Sequence, residues 1–434
     1  MTNVSSVSLL EPAKSAFVWI WLPDRVDPVV CGRIDLSDGI NRFVYAKSYL
    51  ARQNSVPIWL PELPLENKIL VPEAPQVIAG ALRDAAPDQW GRRVVLNRHF
   101  NRRGVGVDTG EMDELNYLLL SGSDRIGALD FQASGSEYVP RLQAAARLSD
   151  LLAAANAVEE GTPLAPELDE ALRHGTSIGG ARPKAQLTDG GRKLIAKFSS
   201  SRDQHSVVKS EYLAMRLAKI VGLRVAEVEL AHVAGKDVLL VERFDRIPVD
   251  AGYLRKAMVS SLTMQGLDEN QARYASYPIM AEVLRHRSSD PVGDQRELWS
   301  RMLFNILVGN TDDHARNHAC FWDGKEIQLT PAYDIDPRPR LGREANQAMA
   351  VNGTDRRALI ASALSAAGSF ALAEQEAIKI AKAQIELIHL NFRPLAAAAG
   401  LSQGETDLLA GRAFLNPYIF EGAPDELKAL NAEL

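Results

Sequence analysis

Short apolar runs alternate with turn-forming clusters in the first hundred residues. Three runs rich in β-branched and aromatic residues are AFVWIWL, VVCGRIDL and RFVYAKSYL, and Pro, Asp and Gly separate them, as is typical of strands joined by turns. Helical spacing follows in PQVIAGALRDAAPDQWGRRVVLNRHF and breaks around Pro87. A helix that stops at Gly122 is predicted for MDELNYLLLSG, and another strand for RIGALDFQA. Residues 1–140 are therefore predicted to form a β-rich N-terminal subdomain.

The next segment, residues 141–250, has the pattern of a small lobe that mixes strands and helices. An Ala- and Leu-rich stretch from about Ala144 to Ala171 predicts joining helices. A Gly-rich loop, GTSIGGARPKAQL, leads into a strand, and KLIAKFSS predicts a second strand. An amphipathic helix that ends near Gly222 is predicted for SVVKSEYLAMRLAKIVGL, and a hairpin turning at Gly235 for AEVELAHVAGKDVLLVERFDR.

Helical spacing dominates residues 251–434, which we expect to form a large helical lobe. The tail LAEQEAIKIAKAQIELIHL is one clear example. Two segments interrupt the pattern: the polar stretch GNTDDHARNHACF, which follows the apolar run LWSRMLFNILV, and the strand-like IQLTPAYDID. A polar loop carried by a helical scaffold is a common place for functional residues.

Composition narrows the classes of protein that fit this pattern. The chain has 434 residues, 46% of them hydrophobic and 24% charged, as in ordinary soluble proteins. A net charge of −6 argues against nucleic-acid binding through the overall field of the protein. Only two cysteines occur, and no window approaches the roughly 18 uninterrupted apolar residues of a membrane span. The expected location is cytoplasmic, with no membrane partner.

The polar stretch at residues 309–321 allows three interpretations. His314 and His318 are four residues apart and could bind zinc from one face of a helix. However, Ala315 stands where a metalloprotease motif has its general-base Glu, so packing or hydrogen bonding is the favoured role of the two histidines. The second interpretation is a phosphoryl-transfer loop, and the third is a solvated loop without a chemical role.

Asp312 and Asn317 have the spacing of a protein-kinase catalytic loop. In that loop an Asp orients the substrate hydroxyl, and an Asn five residues later binds magnesium. A second magnesium carboxylate is expected after a short hairpin, and LTPAYDIDP supplies it as Asp334. An isolated Asp-to-Asn spacing is common by chance. The combination of loop, hairpin and following Asp is far less common and favours phosphoryl transfer.

Other kinase elements precede this loop in the expected order. Lys197 ends an apolar strand and Glu211 lies on the next helix, as in the ion pair that holds ATP phosphates in kinases. Backbone amides of Gly175, Gly179 and Gly180 could cradle phosphate. The segment VLLVERFDR resembles a strand that enters an interlobe hinge. Each feature alone also fits a solvated lysine, an ordinary loop or a surface hairpin.

Together these motifs resemble a known family. The segments SIGGARPKAQL, SEYLAMRLAKIVGL, VERFDR, RMLFNILVGNTDDHARNHACF and LTPAYDI are similar, in this order, to the HipA family of serine/threonine kinase toxins. The segment from FVWIWLP to LDFQAS resembles the N-terminal subdomain of that family. The resemblance implies an α+β class: a two-lobed protein-kinase-like fold with a β-rich N-terminal subdomain and a large all-α C-terminal lobe. Residues 141–250 would then carry the Gly-rich loop and the nucleotide-binding part of the N-lobe.

The same resemblance implies cofactors and residue roles. ATP and Mg²⁺ are the expected cofactors. Asp312 resembles the catalytic aspartate, and Asn317 and Asp334 resemble the magnesium ligands. The residues that match the ATP-contacting segments, together with the helical partner of the lysine, are Ser177, Ile178, Gly179, Gly180, Lys197, Glu242, Phe244, His314 and Glu211. Two further acids, Asp313 and Asp336, have no counterpart role.

The implied function is that of a growth-arresting protein kinase toxin of the persistence type. Its substrate would be a translation component such as an aminoacyl-tRNA synthetase. Its partner would be a HipB-type helix-turn-helix antitoxin, and DNA would be reached only through that antitoxin. The alternative is a catalytically silent pseudokinase that binds an antitoxin and takes part in transcriptional regulation. A metal-dependent hydrolase that uses His314 and His318 is a third possibility.

The resemblance also implies that Ser177 is an autophosphorylation site, and the glycines that follow it would let the loop change conformation. A phosphate on Ser177 would add about −1.5 to −2 charges where the phosphates of ATP must lie. We expect phosphopeptide mapping after incubation with ATP and Mg²⁺ to find this phosphate, and Ser177→Asp to be inactive. An active preparation without phosphate on Ser177, or a fully active Ser177→Asp, would instead indicate that the hydroxyl only hydrogen-bonds its own turn.

Overall fold

The computed structural model describes residues 12–100, 108–110, 112–141, 146–162, 182–200, 203, 205–342, 344–432 and 434. The Gly-rich loop lies outside the described residues. This applies to the predicted site residues Ser177, Ile178, Gly179 and Gly180.

A four-stranded antiparallel sheet forms the centre of the N-terminal subdomain. Its strands are β1 (Ser15–Ile20), β2 (Val29–Ser37), β3 (Ile40–Tyr45) and β4 (Leu129–Gln132), in the order β3-β2-β1-β4. Around it lie α1 (Lys47–Leu50), α2 (Gly80–Arg83), α3 (Gln89–Phe100) and α4 (Glu114–Leu120). Gly32 allows β2 to approach its neighbour closely, because a Cβ there would lie 2.4 Å from the Val44 carbonyl oxygen.

The small lobe contains a second antiparallel sheet with one helix packed across it. The elements are α5 (Leu148–Glu160), β5 (Lys184–Asp189), β6 (Arg192–Phe198), α6 (Val207–Ile220), β7 (Val228–Val233) and β8 (Lys236–Glu242). The sheet has the order β5-β6-β8-β7, and α6 contributes the buried Leu213, Ala214 and Leu217 to the core. The predicted hairpin is confirmed: Ala234 and Gly235 turn it with φ of 48° and 78°.

The helical lobe is built around α9 (Pro291–Leu307), which buries a continuous face. Trp299, Met302, Leu303 and Phe304 in this helix are fully buried. The helices are α7 (Ser261–Met264), α8 (Tyr277–Arg287), α9 (Pro291–Leu307), α10 (Ile360–Ala366), α11 (Glu374–Ala398), α12 (Gln403–Leu409) and α13 (Asp425–Lys428). Among the described residues, no helix combines the length and the apolar character needed to cross a membrane.

The α+β class is the one predicted, but the helical lobe is not purely α. A hairpin of β9 (Arg246–Val249) and β10 (Gly252–Arg255) leads into this lobe. Inside it, β11 (Ala257–Ser260), β12 (Ala319–Trp322) and β13 (Ile327–Leu329) form a small antiparallel sheet. Of this sheet, the sequence predicted only the strand at IQL, within IQLTPAYDID. The expectation of an all-α lobe was wrong because the four-residue strands β11 and β12 are too short to show a period of two.

The N-terminal subdomain contacts both other parts of the chain. Towards the helical lobe, Asp84 accepts hydrogen bonds from the Ser260 amide (2.7 Å), the Ser260 hydroxyl (2.7 Å) and the Thr263 hydroxyl (3.0 Å). Towards the small lobe, the Trp90 indole donates to the Lys184 carbonyl oxygen over 2.9 Å. These contacts connect residues up to 179 positions apart.

Asp84→Ala should therefore destabilise the whole chain. The substitution leaves three donors of the helical lobe without their acceptor, which we expect to lower the free energy of unfolding by about 2–4 kcal/mol. Urea denaturation followed by circular dichroism measures this loss. Glu66→Ala removes an exposed ion pair with Lys68 and serves as the control, with an expected effect below about 1 kcal/mol. Equal effects of the two substitutions would contradict an interdomain role for Asp84.

Candidate active site

The polar loop leaves the end of α9 through a close contact with the C-terminal part of the chain. Gly309 has a φ of 71°, and a Cβ at this position would lie 2.7 Å from the Ala413 carbonyl oxygen. The Leu415 amide donates to the Leu307 carbonyl oxygen over 2.8 Å nearby. A side chain at residue 309 would meet backbone that cannot move aside, so the loop begins from a fixed point.

Asp312 and Asn317 lie at the two ends of the loop. A short 3₁₀ helix, Ala315–Asn317, brings the Asn317 side-chain amide to 3.5 Å from the Asp312 carbonyl oxygen. Asn317 is buried, whereas the Asp312 carboxylate is half-exposed and accepts a hydrogen bond from Arg338 over 2.7 Å. The loop thus presents one carboxylate to solvent and one amide to the interior.

Asp313, which had no predicted role, is buried and holds the polar loop through contacts with Asn305 and His318. Its Oδ2 accepts a hydrogen bond from the Asn305 amide over 2.7 Å and lies 3.0 Å from His318 Nε2. The His318 ring also packs against Tyr277 at 5.4 Å. This geometry supports the packing and hydrogen-bonding interpretation of His318. Within the described ranges, no group of three or more His, Cys, Asp or Glu side chains could hold a metal ion.

Lys197, Glu211 and Asp334 come together from three different elements. Lys197 Nζ lies 2.5 Å from Glu211 Oε1 and also contacts Asp334 Oδ1. Burial opposes the charge of Lys197, but Asp334 and Glu211 raise its pKa above the usual range. Burial also raises the pKa of Glu211, to about 7, while the pKa of Asp334 lies well below its usual range because Lys197 and Lys184 outweigh its burial. One ammonium group thus serves two carboxylates, and Asp334 is the one that stays ionised more readily.

The backbone at Asp334 has an unusual conformation. Its φ is 61°, in the left-handed region that non-glycine residues seldom adopt. Such residues are concentrated at functional sites, where surrounding contacts hold them in place. Here the preceding backbone is held by a parallel bridge in which the Ala332 amide donates to the Arg224 carbonyl oxygen over 2.7 Å.

The predicted hinge residues lie at the edge of the same site. Glu242 ends β8, and the Phe244 ring packs against Phe321 at 5.9 Å and Tyr333 at 5.7 Å. The Tyr333 hydroxyl donates to the Arg316 carbonyl oxygen over 2.9 Å. The aromatic contacts therefore connect the hinge to the polar loop.

One cleft of about 1180 Å³ brings together six of the eight predicted site residues that the structure describes. Its lining includes Lys197, Glu242, Phe244, His314, Asn317 and Asp334. Asp312 and Glu211 are not part of this lining: Glu211 lies behind Lys197, and Asp312 faces Arg338. The buried Nδ1 atom of His314 has no hydrogen-bond partner among the described residues, so this polar group is available in the cleft wall.

Sequence reasoning missed two charged residues beside this cluster. Lys184 lies opposite Lys197 in the β5–β6 ladder, and its buried ammonium is 3.7 Å from Asp88 of the N-terminal subdomain. Burial raises the pKa of Asp88 to about 6 and lowers that of Lys184. A lysine at an inward-facing strand position was a usable signal for Lys184. Asp88 carried none, because its partner is 96 positions away in the chain.

Glu211→Gln gives a pH-dependent prediction. Because the folded pKa of Glu211 is about 7 and its usual value is 4.5, the folded state binds the proton more tightly than the unfolded state. Wild-type stability should therefore fall, relative to the variant, as pH rises from 4.5 to 7, by on the order of 1–3 kcal/mol. Urea denaturation at several pH values measures the difference. Glu405→Gln is the control, because hydrogen bonds from Ser402 outweigh burial and lower the pKa of Glu405. The difference in stability between wild type and this variant should stay constant between pH 4.5 and 7. A constant difference for Glu211→Gln would contradict the assignment.

Comparisons with known proteins bear on the family and the fold of this chain. The HipA-like C-terminal domain matches residues 176–390, and the HipA N-terminal domain matches residues 25–132. The serine/threonine-protein kinase toxin HipA of Shewanella oneidensis is 29% identical over 186 residues, 37% of this chain and 42% of that protein. The putative kinase Y4mE of Sinorhizobium fredii is 28% identical over 174 residues, 37% of this chain and 41% of that protein. The matches thus span about two fifths of the length of these curated relatives.

A solved structure extends the comparison to the whole fold. It is the toxin–antitoxin complex of HipA, HipB and operator DNA from Shewanella oneidensis MR-1, with a TM-score of 0.67 at 18% identity. The superposition covers 95% of this chain and 99% of the matched chain. The two HipA domain matches together cover about three quarters of the sequence, and this chain belongs to the HipA family.

Proposed function

We propose that this protein is an ATP-dependent protein serine/threonine kinase that acts as a growth-arresting toxin. The observation that carries the proposal is the contact of Lys197 with both Glu211 and Asp334, at the wall of a cleft that also contains Asn317. A strand lysine, a helix glutamate and a loop aspartate in this arrangement are the parts with which kinases hold the phosphates of ATP and its metal.

The residues present in the cleft fit ATP with Mg²⁺. Asn317 and Asp334 supply oxygen ligands of the kind that Mg²⁺ prefers, and Lys197 supplies a cation for phosphate oxygens. When bound, ATP supplies the phosphoryl group and Mg²⁺ offsets its negative charge. His314 offers its unpartnered Nδ1 to the same space. Backbone groups of Glu242 and Phe244 at the cleft edge would meet the adenine base.

On the acceptor side, Asp312 would orient the substrate hydroxyl and accept its proton. Its half-exposed carboxylate suits a protein substrate, which has to approach from solvent. The substrate hydroxyl would share this carboxylate with Arg338, which now donates to it over 2.7 Å. The substrate that we propose is a translation component such as an aminoacyl-tRNA synthetase, with autophosphorylation on Ser177 as the accompanying reaction.

The proposed partner is a HipB-type antitoxin with a helix-turn-helix fold. The solved complex contains HipA, HipB and operator DNA, which supports the same kind of assembly for this chain. DNA contact through the antitoxin fits the net charge of −6, because non-specific DNA affinity comes from cations that neutralise phosphates. Two free, buried cysteines, Cys31 and Cys320, support the proposal of a reducing, cytoplasmic location.

A second candidate function is a catalytically silent pseudokinase that binds an antitoxin and regulates transcription. The family relationship alone is compatible with it. The complete set of Lys197, Asp312, Asn317 and Asp334 favours the active kinase, because binding an antitoxin requires none of these groups. Binding of Mg·ATP, seen as a rise in melting temperature, without phosphoryl transfer to any protein would favour the silent module.

Asp312→Asn and Asp334→Ala test the kinase directly. Each removes a charge that acts on the transferring group, so we expect transfer of ³²P from ATP to protein in a cell lysate to fall by at least about 10²-fold. Circular dichroism should show that both variants remain folded. Asp407→Asn, an exposed residue paired with Arg393, should retain activity within twofold. Wild-type transfer rates in Asp312→Asn would disprove the assigned role.

A further inference from the structure

Arg243, between the two predicted adenine-contacting residues, is held on every side. Its Nε and Nη2 donate to the two carboxylate oxygens of Asp245 over 3.0 and 2.9 Å. Its Nη1 donates to Asp124 Oδ1 over 3.0 Å and to Gln186 Oε1 over 2.8 Å, and Nη2 also reaches the Arg125 carbonyl oxygen over 2.7 Å. All five N–H groups of this buried guanidinium are therefore in use.

Asp124 is the only side chain of the N-terminal subdomain among these acceptors. It lies between α4 and β4, and its Oδ1 also accepts from Arg246 Nε over 3.1 Å. Its Oδ2 lies 3.1 Å from Lys193 Nζ on β6. The surrounding cations outweigh burial and hold the pKa of Asp124 well below its usual range. One carboxylate thus joins the subdomain to both sides of the hinge.

Backbone contacts extend the same connection. The Gly127 amide donates to Asp245 Oδ2 over 2.8 Å, and Arg246 Nη1 donates to the Gly127 carbonyl oxygen over 2.9 Å. Glu242 and Phe244 are the immediate neighbours of Arg243, so contacts that hold Arg243 in place also restrict the position of their backbone groups. A hinge fixed in this way is in position before a nucleotide arrives, which improves affinity because less ordering remains to be done on binding.

We propose that Asp124 is a positioning residue for the nucleotide site, through which the N-terminal subdomain holds the hinge for the adenine base. The inference rests on the proposed kinase function. In this inference, the Asp124 contact contributes to the affinity for the adenine base. The phosphates are bound by Lys197 and Asp334, which Asp124 does not contact. The alternative is that Asp124 only stabilises the fold. In that case a substitution of Asp124 would change the affinities for ATP and for a polyphosphate without a base by the same factor.

The test measures two ligands by isothermal titration calorimetry on the full chain. For Asp124→Asn, the Kd for Mg·ATP should rise at least tenfold, while the Kd for Mg·tripolyphosphate, which has phosphates but no base, should stay within twofold. The kcat for phosphoryl transfer at saturating ATP should also stay within twofold. Glu62→Gln is the matched control: Glu62 is a partly buried carboxylate of the same subdomain that accepts from the Gly80 and Ala81 amides, and its hydrogen bonds among the described residues involve neither Arg125 nor residues 242–246. It should leave the Kd for ATP unchanged.

Three results would overturn the inference. The first is an unchanged Kd for ATP in a folded Asp124→Asn, and the second is an equal weakening of ATP and tripolyphosphate. The third is the same loss of ATP affinity in Glu62→Gln at an equal loss of melting temperature. If Asp124→Asn fails to fold, Arg243→Lys takes its place, since a lysine keeps the charge but cannot serve five acceptors, and it must show the same split between the two ligands. Wild-type protein that binds no ATP would instead refute the kinase proposal itself.

Discussion

One ammonium group balances two carboxylates at the centre of this molecule, and the arrangement of the lobes depends on it. Lys197 comes from the sheet of the small lobe, Glu211 from its helix, and Asp334 from a loop of the helical lobe. Removing Lys197 would leave both carboxylates without their shared cation, which is strongly unfavourable. Removing one carboxylate still leaves Lys197 paired with the other.

The N-terminal subdomain is part of this arrangement rather than an appendage. It reaches the helical lobe through Asp84, the small lobe through Asp88 and the hinge through Asp124. In a two-lobed kinase, the angle between the lobes is normally free to change around the hinge. Three separate contacts from one subdomain restrict that freedom. The site is therefore largely formed before any ligand binds.

Local patterns in the sequence were sufficient to predict most of the helices and strands and the elements that carry much of the candidate site. The strand that ends in Lys197, the helix with Glu211 and the loop from Asp312 to Asn317 follow directly from periodicity and turn chemistry. Contacts that depend on the packing of distant segments could not be predicted. The pairs Asp88–Lys184 and Asp124–Arg243 join residues 96 and 119 positions apart, and neither aspartate carries a local sign of its partner. The role of Asp313 was hidden for the same reason, since only the fold brings Asn305 and His318 to one carboxylate.

The contact between Gly309 and Ala413 has a consequence for the order of events during synthesis. The start of the polar loop is fixed against Ala413, which follows Gly309 by 104 positions in the chain. Chains fold from the N-terminus as they leave the ribosome. The sheets of the first 250 residues can form early, but the loop cannot take its final position until the segment around Ala413 has also been made. A nascent chain that stops short of this segment is thus without a completed site.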